Sequence, residues 1–465
     1  MSAEKVLTGD VDVATDIGPD IGADIGADIG ADIAASGAQP ATLRRTILTS
    51  IVGQALEWYD FFLYGTASAL IFGKLFFPLA TDPLVGTLAA FGGFAVGFVA
   101  RPLGGVICGH LGDRYGRKLV LILTLVLMGV ATAAMGLLPT YQQIGVWAPI
   151  LLVTLRFLQG LAAGGEWSGS ILIISENAPP ARRGFLSAWS PSGATLGFVL
   201  SALAFWLVQK LPQEDFLEWG WRVPFLASVL LVWVGYYIRR RIPESADFVA
   251  AKRAGRQVRL PVLEVLSKHP LQILMVVGLR MAEGGGSYIF FAFSLAYGAY
   301  LGIPASVMLE GLTISMVIVT GSALFFGHLS DRIGRRTVYM AGAWGLMLVA
   351  FPFFWLIETK EPSLVLLAYV LADSVVLAAM VGVQPSYMAE LFKAEVRYSG
   401  MGIGRELSSV IGGGIAPMVA TGLLAKYHSS TPVSLYLIVM GAITVFTLLF
   451  TPETKPGSLG YPADK

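Results

Sequence analysis

Two carboxylates, Glu57 and Asp60, stand one helical turn apart in the stretch QALEWYDFFLYG, among residues that are otherwise apolar. Acids this close favour holding a proton between them, which suits groups that must gain and release one. Arginines occur in equally apolar settings at 101, 156, 280 and 405. A guanidinium sheltered from water can hold a carboxylate in a paired geometry. These types point to proton exchange and anion holding. Glu57, Asp60 and Asp373 are the candidate proton carriers, with Arg156 as their counter-charge. Tyr64, Arg101, Gln159, Arg280 and Glu283 are the candidate cargo ligands.

The surroundings explain why these charges are informative. Hydrophobic residues make up 55% of the 465 and charged residues only 14%, with mean hydropathy +0.69. A soluble domain carries roughly 25% charged residues, so most of this chain meets lipid. Twelve segments are long and apolar enough to span a bilayer: roughly 46–73, 84–108, 119–138, 148–174, 185–208, 222–239, 270–300, 307–326, 337–357, 362–386, 398–424 and 433–451. Ten acids and arginines fall well inside them: the eight named above, together with Glu166 and Glu406. Each would cost roughly 2.5–3.5 kcal/mol at a lipid-facing midpoint, so each is expected to face inward and find a partner. Helical spacing agrees. Gln54, Glu57, Asp60 and Tyr64 fall within an arc of about 120°, and Arg156, Gln159, Ala163 and Glu166 within about 80°. Arg280, Glu283 and Ser287 share one side of their segment. For each charge the plain alternative is a fixed ion pair that glues helices together.

The elements that position these residues are duplicated. GHLGDRYGRK begins at Gly109 and GHLSDRIGRR at Gly327, so Asp113 and Asp331, and Arg117 and Arg335, occupy matching places a little under half a chain apart. A second echo places Glu176 seven residues before Arg183 and Glu390 seven before Arg397. The fold expected is an all-α membrane protein of 12 transmembrane helices in two six-helix repeats. Residues 44–239 form one bundle and 270–454 the other, joined by a basic central loop at 240–269. Lys and Arg concentrate in alternate connections, which places both termini, the central loop and both decapeptides on the cytoplasmic side. Gly109 and Gly112 would let the backbone turn, and Asp113 would accept from Arg117 or from a helix N-terminus. The two loops, with the Glu176/Arg183 and Glu390/Arg397 echoes and with Glu166 beside Asp113, would form a cytoplasmic latch between the halves. The alternative is a positive-inside turn without a gating role. Residues 1–43 read as a disordered acidic tail built on a DIGA-like repeat, and 455–465 as a short cytoplasmic tail.

These motifs resemble the major facilitator superfamily. GHLGDRYGRK is similar to its motif between helices 2 and 3, and Arg156, Gln159 and Gly160 in RFLQGLAAGG to its helix 4 motif. EWYDFFLYG, RPLGG, QGLAAGGEWSG and WGWRVPF together resemble its metabolite:proton symporters. VGTLAAFGGFAVGF, QPSYMAELF and RYSGMGIG are most similar to bacterial shikimate permeases. The resemblance runs from about Arg44 to about Thr454. It departs in helix 5, where SPSGATLG, with Pro191 and Ser192, stands in place of the usual Gln.

The resemblance implies proton-coupled uptake, by alternating access, of a small polar metabolite such as shikimate or a di- or tricarboxylate. It also implies a bacterial plasma membrane. A zwitterion carrier for proline or betaine, a proton-coupled efflux antiporter, and a receptor on a transporter fold are the alternatives. The expected partners are the cargo, protons and the bilayer, with no nucleic acid, and the chain is expected to act as a monomer. No cofactor or metal is expected, and no enzyme motif occurs: there is no P-loop, HExxH or GxSxG. One consequence concerns orientation. A cysteine at Ser245 in the central loop should react with an impermeant maleimide only after the cytoplasmic face is opened. Labelling of intact cells would overturn the topology.

Overall fold

The computed structural model describes residues 40–78, 83–176, 178–208, 210–240, 261–393 and 396–456. Most of the tail at 1–43 and of the central loop at 240–269, and residues 457–465, lie outside the described residues; Pro40 to Leu43 open the first helix, and Pro261–Lys268 is a helix of its own.

The first half comprises α1 (Pro40–Ala67), α2 (Pro83–Tyr115), α3 (Arg117–Leu137), α4 (Trp147–Ser175), α5 (Ser192–Val208) and α6 (Arg222–Arg240). The second comprises α7 (Pro270–Tyr288), α8 (Ala305–Ile333), α9 (Arg335–Glu358), α10, α11 and α12 (Thr431–Phe450). α10 runs as Pro362–Tyr369, a π-helical stretch Val370–Leu377, and Ala378–Glu390. α11 runs as Arg397–Ser409, π-helical Val410–Ile415, and Ala416–Tyr427. Ten helices among the described residues are long and apolar enough to cross a membrane; Gln213–Gly220 and Arg222–Tyr237, bent by 44°, make an eleventh if taken as one span. α1 is less apolar because Gln54, Glu57 and Asp60 interrupt it.

Three sequence expectations change. The second segment does not end at 108: α2 continues through Tyr115, so Gly109 and Gly112 are helical and do not make the turn. The turn is at Gly116, φ +114°, and at its counterpart Gly334, φ +111°, values that only glycine adopts without strain. Gly109 and Gly112 instead admit a neighbour: a Cβ there would lie 2.9 Å from the Ser399 Cα and 2.8 Å from the Tyr398 ring of α11. The fifth segment also divides. A short helix, Arg183–Ser187, lies before α5, and the chain turns through Trp189 to Pro191 before α5 starts at Ser192. Pro191 lacks the N–H a continuous helix would require there.

One apolar core, around Tyr64, Phe72, Trp221 and Phe225, belongs to the first half; the other, around Phe290, Phe353, Phe354 and Tyr369, is mainly of the second half and runs on to Trp167, Ile171 and Leu172 of α4. α2 and α4 cross within backbone contact. At Gly164 a Cβ would fall 2.6 Å from the Gly105 amide nitrogen and closer still to the Arg101 carbonyl oxygen. That proximity fixes the height of Arg101 relative to α4. Substituting Gly164 by Val should lower the thermal midpoint of the purified protein, since overpacking costs about 1–3 kcal/mol and backbone cannot yield as a side chain can. Gly321→Ala, with nothing within 4 Å of its Cβ, should leave the midpoint unchanged or raise it by helix propensity, worth up to about 1 kcal/mol.

Candidate functional site

A cavity of about 150 Å³ lies between the halves at mid-helix depth. Its charged lining comes from Arg101 of α2, Arg280 and Glu283 of α7, Asp373 of α10 and Arg405 of α11. Trp58, Phe62, Trp167, Tyr288 and Phe291 supply aromatic walls, and Gln54, Ser192, Thr195, Ser287, Thr320, Gln384 and Ser409 supply neutral polar groups. All five charged groups are at least nine-tenths buried.

Each arginine here is held by a carboxylate of the same half. Arg101 lies 3.3 Å from Glu57 and its guanidinium sits over Phe98 and Phe61, at 5.2 and 5.7 Å. Arg280 lies 3.1 Å from Glu283, and Gln384 bridges the pair: its carbonyl accepts from Arg280 at 3.2 Å and its amide donates to Glu283 at 3.1 Å. Arg405 pairs with its neighbour Glu406. Trp167 reaches across from α4 and offers its ring to Arg405 at 4.5 Å and Arg280 at 6.0 Å. Such contacts are worth about 0.5–2 kcal/mol when desolvated. Asp373 accepts from Ser315 at 3.1 Å and makes no ion pair among the described residues. It lies in the π-helical stretch of α10, where the altered spacing turns its side chain to the cavity.

Asp60 does not line this cavity. Thr132, Gln159 and the Arg156 cation are its polar neighbours. Gln159 accepts from Arg156 and donates to Thr132 at 2.8 Å. Tyr64 lies under the Arg156 guanidinium at 4.5 Å. Tyr64 and Gln159, expected among the cargo ligands, are therefore companions of Arg156 behind the cavity wall. They share the inward face of their helices with Glu57, but that face is deeper than the cavity. The two acids of α1 also divide: one turn apart, they take different arginines. Conversely, Trp167, Tyr288, Thr320 and Gln384 were not singled out from sequence. Gln384 carried a usable signal, an amide in an apolar span.

The cytoplasmic side holds a second cluster. The Asp331 carboxylate accepts from the backbone N–H groups of Gly184 and Phe185, both at 2.9 Å, and so caps the short helix of the other half. Arg335 lies 2.6 Å from Asp331 and 3.5 Å from Glu390, and Arg183 of the first half lies 3.5 Å from the same Glu390. Arg397 of the second half lies 3.3 Å from Glu176 of the first. The two sequence echoes therefore exchange partners: each arginine crosses to the other half's glutamate. The side chains of Asp113 and Arg117 are outside the described residues. Glu166, expected beside Asp113, is fully buried and accepts from Thr124 of α3 at 3.0 Å. Tyr398 adds a cross-half bond at 2.7 Å to the Gly165 carbonyl. Replacing Asp331 by Ala removes two charge-assisted bonds across the halves, each worth about 1.5–3 kcal/mol. A cysteine placed at Thr320 should then react faster from the cytoplasmic side, and an unchanged rate would remove Asp331 from the latch.

The family model described as Major Facilitator Superfamily matches residues 51–417 and, again, 284–463. The shikimate transporter of Escherichia coli K12 is 41% identical over 423 residues, covering 89% of this chain and 95% of that protein. The proline/betaine transporter of Salmonella typhimurium LT2 is 34% identical over 426 residues, covering 89% and 84%. Among solved structures, the proton:xylose symporter XylE bound to 6-bromo-6-deoxy-D-glucose superposes with a TM-score of 0.74 at 16% identity, over 89% of this chain and 97% of that one. With a two-bundle fold, a charged cavity between the bundles and relatives matched along nearly their whole length, this chain belongs to the major facilitator superfamily, a family of membrane transporters.

Proposed function

We propose that this transporter takes up a small organic acid together with protons, with shikimate as the first cargo to test. The observation that carries the reading is that every arginine on the cavity wall is already held by a carboxylate of the protein. An incoming anion must compete with that carboxylate. If a proton neutralises the acid, the arginine becomes available without leaving a buried charge unpaired, a state that costs about 3–5 kcal/mol. Anion and proton then enter as one neutral load, and the reverse step needs both to leave. The same logic supports alternating access. The reciprocal pairs of Arg183 with Glu390 and Arg397 with Glu176 would hold the cytoplasmic side shut and release when the halves rock. In this reading Glu57, Asp60 and Asp373 exchange protons, Arg156 steadies Asp60, and Arg101, Arg280 and Glu283 meet the cargo.

A zwitterionic cargo is the second reading. Asp373 has no cation among the described residues, so it can receive an ammonium or hydroxyl donors, and the aromatic walls suit a methylated ammonium. The relative that transports proline and betaine is in keeping with this.

Proteoliposomes with an imposed pH gradient, offered radiolabelled shikimate, citrate, 2-oxoglutarate, proline and betaine, separate the two. Accumulation of an acid on acidifying the outside supports the first reading; accumulation of betaine or proline alone supports the second. Asp60→Asn should abolish accumulation against a gradient while exchange of cargo for cargo partly survives, because exchange need not release the proton. Arg101→Ala should weaken cargo binding by about 1.5–3 kcal/mol. Uphill, pH-driven uptake by Asp60→Asn would place the proton carrier elsewhere, with Asp373 the next acid to test.

A further inference from the structure

Proton and cargo are assigned to different compartments in this protein, and something must connect them. Asp60 is behind the wall with Arg156, whereas Arg101 lines the cavity. A second, smaller cavity lies between them. It measures about 10 Å³, room for about one water. Glu57, Arg101, Arg156 and Gln159 supply its polar lining, and Gly97, Gly160 and Ala163 form a floor of small residues. Arg101 is the one charged side chain that lines both cavities among the described residues.

Three details make this space a passage for a guanidinium. Gly97 leaves room for Arg156: a Cβ there would lie 2.7 Å from its Nε. The Phe61 ring is shared, 5.6 Å from the Arg156 guanidinium carbon and 5.7 Å from that of Arg101. Its face can support either cation during a move. The Oε1 atom of Glu57 is buried, lies on the Arg101 side at 3.3 Å, and makes no hydrogen bond. Glu57 is thus ion-paired yet incompletely satisfied, and a second donor arriving from the small cavity would be stabilised there.

We infer that the small cavity is the site of an ion-pair exchange that hands the protonation of Asp60 on to the cargo site. When Asp60 takes a proton, Arg156 loses its anion and turns to Glu57. Arg101, released by Glu57, is then presented to an anion in the central cavity. When Asp60 loses the proton, Arg156 returns, Glu57 recaptures Arg101 and the anion is expelled. This rests on the reading of Asp60 as the proton carrier and adds the route by which it is felt. In this exchange Glu57 keeps its charge and is a positioning residue rather than one of the proton carriers, and Arg101 is the cargo ligand.

The other charges near these groups are accounted for. Asp60 faces Arg156 from α4 and the Thr132 hydroxyl from α3, with Tyr59 beside it on α1. Glu57 faces Arg101 from α2, Glu166 from α4, and Arg405 and Glu406 from α11. Arg156 faces Tyr64 of α1, Arg101 of α2 and Tyr288 of α7. α5 has no titratable side chain, and α6 meets Tyr59 through the Pro224 carbonyl. Arg156 is the one cation beside Asp60 among the described residues, so protonation there acts first on Arg156.

Infrared difference spectra of the protein in liposomes, taken across an acid step without any cargo, test the exchange directly. In the unmodified protein a protonated-carboxyl band that Asp60→Asn removes should appear together with a shift of the Glu57 carboxylate stretch. Glu57→Gln should remove the second signal and keep the first. Ala163→Leu, or the milder Ala163→Val, fills the small cavity without touching a charge; the Asp60 band should persist and the Glu57 shift should vanish. A Glu57 shift that survives in both Ala163 variants overturns the exchange route. So does an Asp60 band unaccompanied by any Glu57 change, while leaving Asp60 as the carrier intact. Loss of the Asp60 band itself sinks the carrier assignment and the exchange together. A cargo readout follows from the same scheme: shikimate binding should weaken by about tenfold or more between mildly acid and mildly alkaline pH in the unmodified protein, and Glu57→Gln should flatten that slope.

Discussion

A guanidinium or carboxylate inside the hydrocarbon layer must be paired or hydrogen-bonded within the protein, because the lipid offers it nothing. That requirement organises this protein. Glu57 goes to Arg101, Glu283 to Arg280, Glu406 to Arg405, and Arg156 stands by Asp60. The pairs are not placed for stability. Desolvating two ions returns little beyond what a well-packed apolar pair would give. In the proposed reading, pairing gives a set of charges that can sit at mid-membrane and still be exchanged, a proton taking the place of the arginine and an anionic cargo that of the carboxylate.

Pairing would be useless without close packing. Arg101 and Glu57 sit on different helices, as do Arg156 and Asp60, so those helices must approach until side chains of fixed length can meet. Gly164 of α4 lies against the backbone of α2 at Arg101 and Gly105, and this contact sets the height of Arg101 relative to α4. Between the halves, Gly109 and Gly112 give α2 the same intimacy with Ser399 and Tyr398 of α11. In lipid no hydrophobic drive holds helices together, so such small-residue contacts do much of the work.

The duplication gives the cytoplasmic face its character. Asp331 of one half caps a short helix of the other, and the paired glutamates and arginines cross over, Arg183 to Glu390 and Arg397 to Glu176. A reciprocal contact of this kind breaks at both ends when the halves rotate apart. Under the proposed alternating access, such a latch would switch between two discrete arrangements.

Much of this could be read from sequence. Composition fixed the membrane setting, span length gave twelve segments, and two decapeptides revealed two repeats. The cost of a charge in lipid named the ten ionisable residues that must turn inward, before any neighbour was known. These inferences depend only on solvent and on the helix period, which are local. The partners were decided by the tertiary structure. Glu57 and Asp60 look like one site on the α1 helical wheel, yet they belong to separate arginines and only Arg101 and not Tyr64 reaches the cavity. Glu176 and Arg183 read from the sequence as half of a repeated echo, and the structure bonds each to the opposite member in the other half, Arg397 and Glu390. Gly109 looks like a turn and is a helix contact, while Gly116 makes the turn. Helical periodicity states the direction in which a side chain leaves its own axis. It does not state which helix lies opposite, at what height or how near, and those three quantities choose the partner.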